Sequence, residues 1–246
     1  MSDFATASGH WYGLDGSPRY TMTGKNGKER NTTLRDAREL SLVPSVTTII
    51  RMAAAPAREK WKRDQVLLAA LTLPRREDEP ESAWLARVEQ DWQQQGRAAA
   101  DRGTAIHAGI EKHYRGQPPD EDVWPWVKAA SSVINETCGE RGWYAERSFA
   151  HPLGFGGKTD LHSSEWVIDI KTKDGEATTL YDEHLMQLAA YRLGLGVTGR
   201  CGILFVDRQE PRAKFIEADA AELDKALAMF MALLAYWQAK TGHRPS

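Results

Sequence analysis

The chain has 246 residues, of which 41% are hydrophobic and 27% charged, and its formal net charge is −2. Those values suit one large globular domain, or a domain with an appendage, and exclude general disorder. They also exclude a polycation, so contact with nucleic acid must use a local basic patch.

Cys138 and Cys201 are the only cysteines. They form no CxxC pair, no zinc-ligand spacing and no disulfide framework, which fits a reduced, cytoplasmic setting. The opening MSDFATASGHWYG lacks the basic start and apolar core of a signal peptide. No run of about 18 apolar residues is present, so no membrane span is expected.

Residues 1–31 are Gly-rich and polar, with a short strand over Arg19–Thr23 and a turn or hairpin tip in GKNGKER, 24–30. Thr32 or Thr33 is expected to cap a short helix through Leu40. Pro44–Ser45 opens the helix PSVTTII. Pro56 to Leu73 carries Trp61, Val66, Leu67, Ala70 and Leu71 at helical spacing. PRREDEPE (74–81) reads as a charged loop, and Ser82 starts a helix to about Ala100 with Trp84, Leu85, Val88 and Trp92 on one face. RGTAIHAGIEKHYRG (102–116) predicts a further helix, capped by Thr104 and closed by Gly116. Another follows over Trp124–Thr137.

From there strands dominate. WYAERSFAH (143–151) alternates like a strand, Gly154–Gly157 turns the chain, and KTDLH (158–162) is short and strand-like. WVIDIKTK (166–173) is a third strand. Tyr181–Leu195 reads as a helix, CGILFVD (201–207) as a strand buried on both faces, AKFIEA (213–218) as a fifth strand, and Ala221–Lys240 as a closing helix. The order predicts a mixed α/β domain with a parallel crossover.

Within VIDIKTKD (167–174), Asp169 and Lys171 fall on one strand face. Asp160 ends the preceding strand. If the two strands are neighbours, both carboxylates converge as hard ligands for Mg²⁺ or Mn²⁺, and Lys171 can orient a water or balance charge on a phosphate. A plain ion pair across a strand, contributing about 0–1 kcal/mol, is the commoner use of such a pair and reads the same way. RMAAAPAREKWKR (51–63) holds five basic residues and one acid. Its Arg58, Lys60, Lys62 and Arg63 could neutralise phosphates, and Trp61 could stack on a base. Ser45, Thr47 and Thr48 could donate to phosphate at a helix start. A solvated helix face with Trp61 in the core fits that stretch as well.

The pattern D-x(8)-DIK, preceded by GFGGK, resembles the core of the PD-(D/E)XK nuclease superfamily. RGTAIH, ending in His107, resembles the histidine motif of its RecB-like branch, and QLAAY, Gln187–Tyr191, resembles the Q-x-x-x-Y motif. PSVTTII and the basic helix after it resemble phage-type exonucleases and the related mitochondrial genome maintenance exonuclease. The core resemblance covers about 102–218 and the N-terminal one mainly 42–63.

The resemblance implies a restriction-endonuclease-like α/β core, a mixed central sheet flanked by helices in the order αβββαβ. That core would occupy 102–246, with a mostly helical, DNA-contacting extension over 1–101. Asp160 and Asp169 would be metal ligands, with the Ile170 carbonyl a third and His107 a fourth. Lys171 would be the catalytic lysine. Gln187 and Tyr191 would line the site, and Glu146 would match an acidic position of some members. The implied activity is metal-dependent DNA exonuclease in recombination, repair or replication, in a bacterial cell or phage-infected host. A structure-selective endonuclease, a catalytically silent DNA-binding accessory module and a hydrolase of another substrate are the alternatives. Some relatives work with a single-strand annealing protein. Two cysteines cannot hold the four-cysteine iron–sulfur cluster of some RecB-like nucleases, and no GxxxxGK[ST] loop implies ATP.

Overall fold

The computed structural model describes residues 9–53, 56–176 and 179–245, with side chains undescribed at 56–58, 61, 62 and 95. Its centre is a five-stranded mixed sheet. The strands are β5 (Tyr144–His151), β6 (Phe155–His162), β7 (Trp166–Lys173), β8 (Arg200–Asp207) and β9 (Ala213–Glu217), in that spatial order. Only β7 and β8 run parallel, joined through helix α6 (Asp182–Leu195) as a helical crossover. The other neighbours are antiparallel.

Alternation along β7 builds a core on each face of the sheet. Trp166, Ile168 and Ile170 pack with Ile106 and Ile110 of α4 (Glu81–Tyr114) and Val127, Ala130 and Ile134 of α5 (Trp124–Cys138). Val167 points the other way, toward Leu188 and Ala189 of α6 and Phe230 and Leu234 of α7 (Ala220–Thr241). Asp169 and Lys171 share the parity of Val167 and so face α6. Cys138 and Cys201 lie buried in these two separate cores.

The N-terminal part holds more than helices. β1 (Trp11–Tyr12) pairs with β4 (Val43–Pro44), and β2 (Thr21–Thr23) pairs with β3 (Glu29–Asn31) across the expected hairpin tip. Helix α1 (Leu34–Glu39) starts at Thr33 in a capping box completed by Asp36, which also takes both Arg30 guanidinium nitrogens, at 2.6 and 2.7 Å. Helix α2 (Val46–Ile50) follows, and α3 (Pro56–Thr72) packs mainly on α4.

Several expectations about these elements need correction. The helices predicted over 82–100 and 102–116 are one 34-residue helix, α4. Thr104 is not a cap, because its hydroxyl donates to Ala100 O at 2.9 Å inside the helix. That helix also crosses the junction placed between 101 and 102. The turn at Gly154–Gly157 is shorter than read, and β6 begins at Phe155. Gly156 and Gly157 belong to the strand, where Tyr12, Tyr191 and Phe149 approach so closely that a Cβ would meet them at 2.8–3.0 Å. Among the described residues of α3, Leu67 is 62% and Leu71 79% exposed, while Ala69 is buried.

Candidate active site

The ladder between β6 and β7 holds for two pairs, Leu161 with Ile168 and His162 with Val167. Continuing that register by one residue sets Asp160 opposite Asp169. There the backbone pairing gives way to a side chain, and Ile170 N–H donates to Asp160 Oδ2 at 2.6 Å. On the other side of β6, Ala145 faces Leu161 and Arg147 faces Thr159, which sets Glu146 opposite Asp160. Three acids therefore lie in a row across three strands. Glu146 has φ of 56°, a left-handed backbone that a glutamate rarely adopts and that marks local strain at the site.

Each carboxylate meets a basic side chain of the chain. His107, from the middle of α4, brings Nε2 to 3.2 Å from Asp160 Oδ1. Lys171 Nζ lies 2.8 Å from Asp169 Oδ2, and Lys158 pairs with Glu146. Gln187 ties the centre together from α6. Its Nε2 donates to Asp169 Oδ1 at 2.8 Å and to the Tyr191 hydroxyl at 2.9 Å, while its Oε1 accepts from Lys171 at 3.1 Å. Gln187, Tyr191 and Asp169 are buried, whereas Lys171 and His107 keep about a third of their side chains open to solvent.

The electrostatics follow from this crowding. Burial pushes the Asp169 carboxyl up to about 6, with Asp160 adding to the rise and Lys171 opposing it. Asp160 goes the other way: burial would raise it, but the His107 hydrogen bond and the His107 and Lys171 charges hold it below the usual range. Burial would lower His107 and Lys171, yet the neighbouring carboxylates raise both. His184, one turn before Gln187, is pushed down to about 4 by burial and by Lys171 and Lys173. It is a neutral imidazole beside the site that sequence reasoning did not single out.

Among the described residues, His107, Glu146 and Asp160 offer ligand atoms within 4.8 Å of one another. This trio has Glu146 where the resemblance implies Asp169, because the Asp169 oxygens turn toward Lys171 and Gln187. The resemblance offers Glu146 only as a match to an acidic position of some members; its left-handed backbone and its place opposite Asp160 are tertiary facts. One imidazole nitrogen and several carboxylate oxygens suit a hard divalent cation.

The expected nucleic-acid residues fall elsewhere. Ser45 is buried, and its hydroxyl caps α2 by accepting from Thr48 N–H at 3.1 Å, so it is spent within the fold. Thr47 Oγ1 lies 3.0 Å from that hydroxyl. Lys60 is exposed but pairs with Asp64 at 2.6 Å, and Arg63 is exposed. The side chains of Arg58, Trp61 and Lys62 lie outside the described residues. A cleft of about 840 Å³ at the starts of β7 and β8 is lined by Arg141, Arg192 and Arg200. Each of these pairs with an acid of the chain, and none of the site residues above borders the cleft.

No family model and no curated protein matches this chain. Among solved structures it is similar to a candidate exonuclease from Eubacterium rectale, at 12% identity and a TM-score of 0.42, over 58% of this chain and 68% of that one. It is also similar to an alkaline exonuclease from Laribacter hongkongensis, at 19% identity and a TM-score of 0.36, over 80% and 92% of the two chains. The dAMP complex of LHK-Exo matches at 18% identity and a TM-score of 0.31, over 80% and 91%. Likenesses this distant do not decide the chemistry, which the side chains themselves must carry. No helix among the described residues is long and apolar enough to cross a membrane.

Proposed function

We propose that the chain is a deoxyribonuclease dependent on Mg²⁺ or Mn²⁺, working as an exonuclease of phage or prophage type in DNA recombination, repair or replication. The observation that carries the nuclease reading is the row Glu146–Asp160–Asp169 across adjacent strands, with His107, Lys171 and Gln187 brought to it from two helices and a strand. The motif resemblance supports the choice of DNA and of exonuclease.

His107, Asp160 and Asp169, with the Ile170 carbonyl and Glu146, would hold the cation. When bound, it polarises a phosphoryl oxygen and lowers the pKa of a bound water. The residues of the chain do the rest. Lys171, kept protonated by Asp169 and Asp160, acts as an ammonium: it orients the attacking water and offsets charge on the phosphate. Gln187 fixes Lys171 and Asp169 relative to each other. Tyr191, whose hydroxyl is held far above its ordinary pKa by burial, stays neutral and supports Gln187. Residues 1–101 would guide the nucleic acid, with exposed Arg63 on α3 as a phosphate contact.

The test is digestion of 5′- and 3′-labelled single- and double-stranded DNA with Mg²⁺, Mn²⁺ or EDTA. Cleavage should need the cation, spare covalently closed circles, and disappear in Lys171→Ala and Asp169→Ala while DNA binding persists. Cleavage of closed circles would replace exonuclease by endonuclease. Cleavage by Lys171→Ala at the wild-type rate would remove the assignment.

A further inference from the structure

Lys158, the last residue of GFGGK, has no part in the chemistry above, yet it reaches the metal-ligand cluster. It sits two residues before Asp160 on β6, and its ammonium pairs with Glu146, a ligand of the trio. The Glu146 side chain is only 3% exposed, and its backbone is in the left-handed region, so it is held in the site at a conformational cost. The Lys158 side chain is 37% exposed. One member of the pair is thus fixed and enclosed, and the other has a way out.

A buried carboxylate without a counter-charge is strongly unfavourable. Before a cation arrives, something must balance Glu146, and the structure shows what does. We propose that Lys158 is a placeholder cation: it occupies the Glu146 side of the metal site in the unloaded protein and is displaced when the divalent ion binds. The inference rests on the metal-dependent reading above. The swap is feasible because a lysine is a hydrated point charge on a flexible stem, and its release into water costs little once a dication replaces it. Lys171 cannot leave so easily, since Gln187 holds it in addition to Asp169.

A structural role for Lys158 and a placeholder role predict different metal binding. The experiment is Mn²⁺ titration by calorimetry or electron paramagnetic resonance, with thermal melts in EDTA and in saturating Mn²⁺. Wild type, Lys158→Met, Lys158→Arg, Glu146→Gln and the Glu146→Gln/Lys158→Met double variant are compared. Removal of a competing unit charge from the site should tighten Mn²⁺ binding by Lys158→Met about tenfold. This variant should melt below wild type in EDTA and recover in Mn²⁺. Lys158→Arg should behave as wild type. Glu146→Gln should bind more weakly, and adding Lys158→Met to it should bring no tightening. Unchanged or weaker binding by Lys158→Met, or a melting loss that Mn²⁺ does not restore, overturns the placeholder and leaves the metal reading standing. If wild type binds no Mn²⁺, both fall.

Discussion

Replacing Gln187 by Leu tests how the site is held together. The side chains are similar in size, so the change removes polar contacts while creating little cavity. Three contacts go: the donations to Asp169 and the Tyr191 hydroxyl, and the acceptance from Lys171. Lys171 is partly exposed, and water can replace its lost acceptor. Asp169 and Tyr191 are buried and cannot recover so simply. An unsatisfied buried group costs about 1–3 kcal/mol, more when charged, so the loss should total about 3–4 kcal/mol at pH 8. The cost should also depend on pH. Gln187 donates to the ionised form of Asp169, whose pKa is already about 6. Losing that donor raises the pKa further, so the deficit is smallest when Asp169 is protonated and grows as pH rises through about 6. Urea unfolding in EDTA at pH 5 and pH 8 measures both values. A variant as stable as wild type, or a deficit equal at the two pH values, would refute the claim that Gln187 satisfies an ionised Asp169.

Asp36→Asn breaks the capping box and the two-pronged Arg30 contact, and should cost about 1–2 kcal/mol at pH 7. Arg30 holds the Asp36 carboxyl well below its ordinary range, so this contribution is present above about pH 4 and fades in acid; melts at pH 7 and pH 3 should show the gap closing. Gly199→Ala would place a Cβ 2.0 Å from the Glu165 carbonyl oxygen. That backbone cannot swing aside, and Tm should fall by roughly 6–12 °C, from about 3 kcal/mol of overpacking; an unchanged Tm in calorimetry would contradict the packing. His107→Ala should weaken Mn²⁺ binding by at least about tenfold in a calorimetric titration without loss of fold. Arg63→Ala should reduce the salt dependence of DNA binding by about one unit of log–log slope; an unchanged slope would move the DNA path away from α3.

The sheet was legible where side-chain period and turn chemistry agree. WVIDIKTK reads as a strand because its apolar residues fill one core and Val167 the other, and β7 spans those same eight residues. Thr104 misled, because threonine commonly caps a helix start, but here it lies within α4. A Cβ on Gly103 would come within 2.5 Å of Thr172 Oγ1, so this glycine marks a close crossing of helix over strand, one turn before His107. Asp160, Asp169, Lys171, Gln187 and His107 were legible through motif spacing. Glu146 was legible only as an acidic position implied by the resemblance, and Lys158 was not singled out at all; register across β5 and β6 and a single left-handed residue bring the two together. The exposed leucines of α3 show the converse: helical spacing names an apolar face but not whether anything covers it.

The charges of the site argue for the order in which it is filled. In the unloaded protein three carboxylates, Glu146, Asp160 and Asp169, stand against Lys158, Lys171 and an imidazole whose pKa Asp160 holds up. With His107 protonated the cluster is neutral, as a largely buried group of ions must be to persist. Coordination requires a neutral His107, so loading a dication adds two charges and removes one. With Lys158 displaced the loaded cluster is neutral, and the dication within it still faces the negative charge of a phosphodiester. The cluster is therefore neutral both unloaded and loaded, and the substrate is drawn by the dication itself rather than by a net charge. On this reasoning the cation should bind more tightly when a phosphodiester is present, and by the reciprocity of coupled binding the phosphodiester should bind more tightly with the cation. Titrating Mn²⁺ into the cleavage-deficient Lys171→Ala variant is a poor check, because that change removes one of the balancing charges. A non-hydrolysable phosphorothioate oligonucleotide with the wild-type chain keeps them all. Mn²⁺ affinity that is the same with and without that oligonucleotide would mean that the cation and the phosphodiester do not meet in this site.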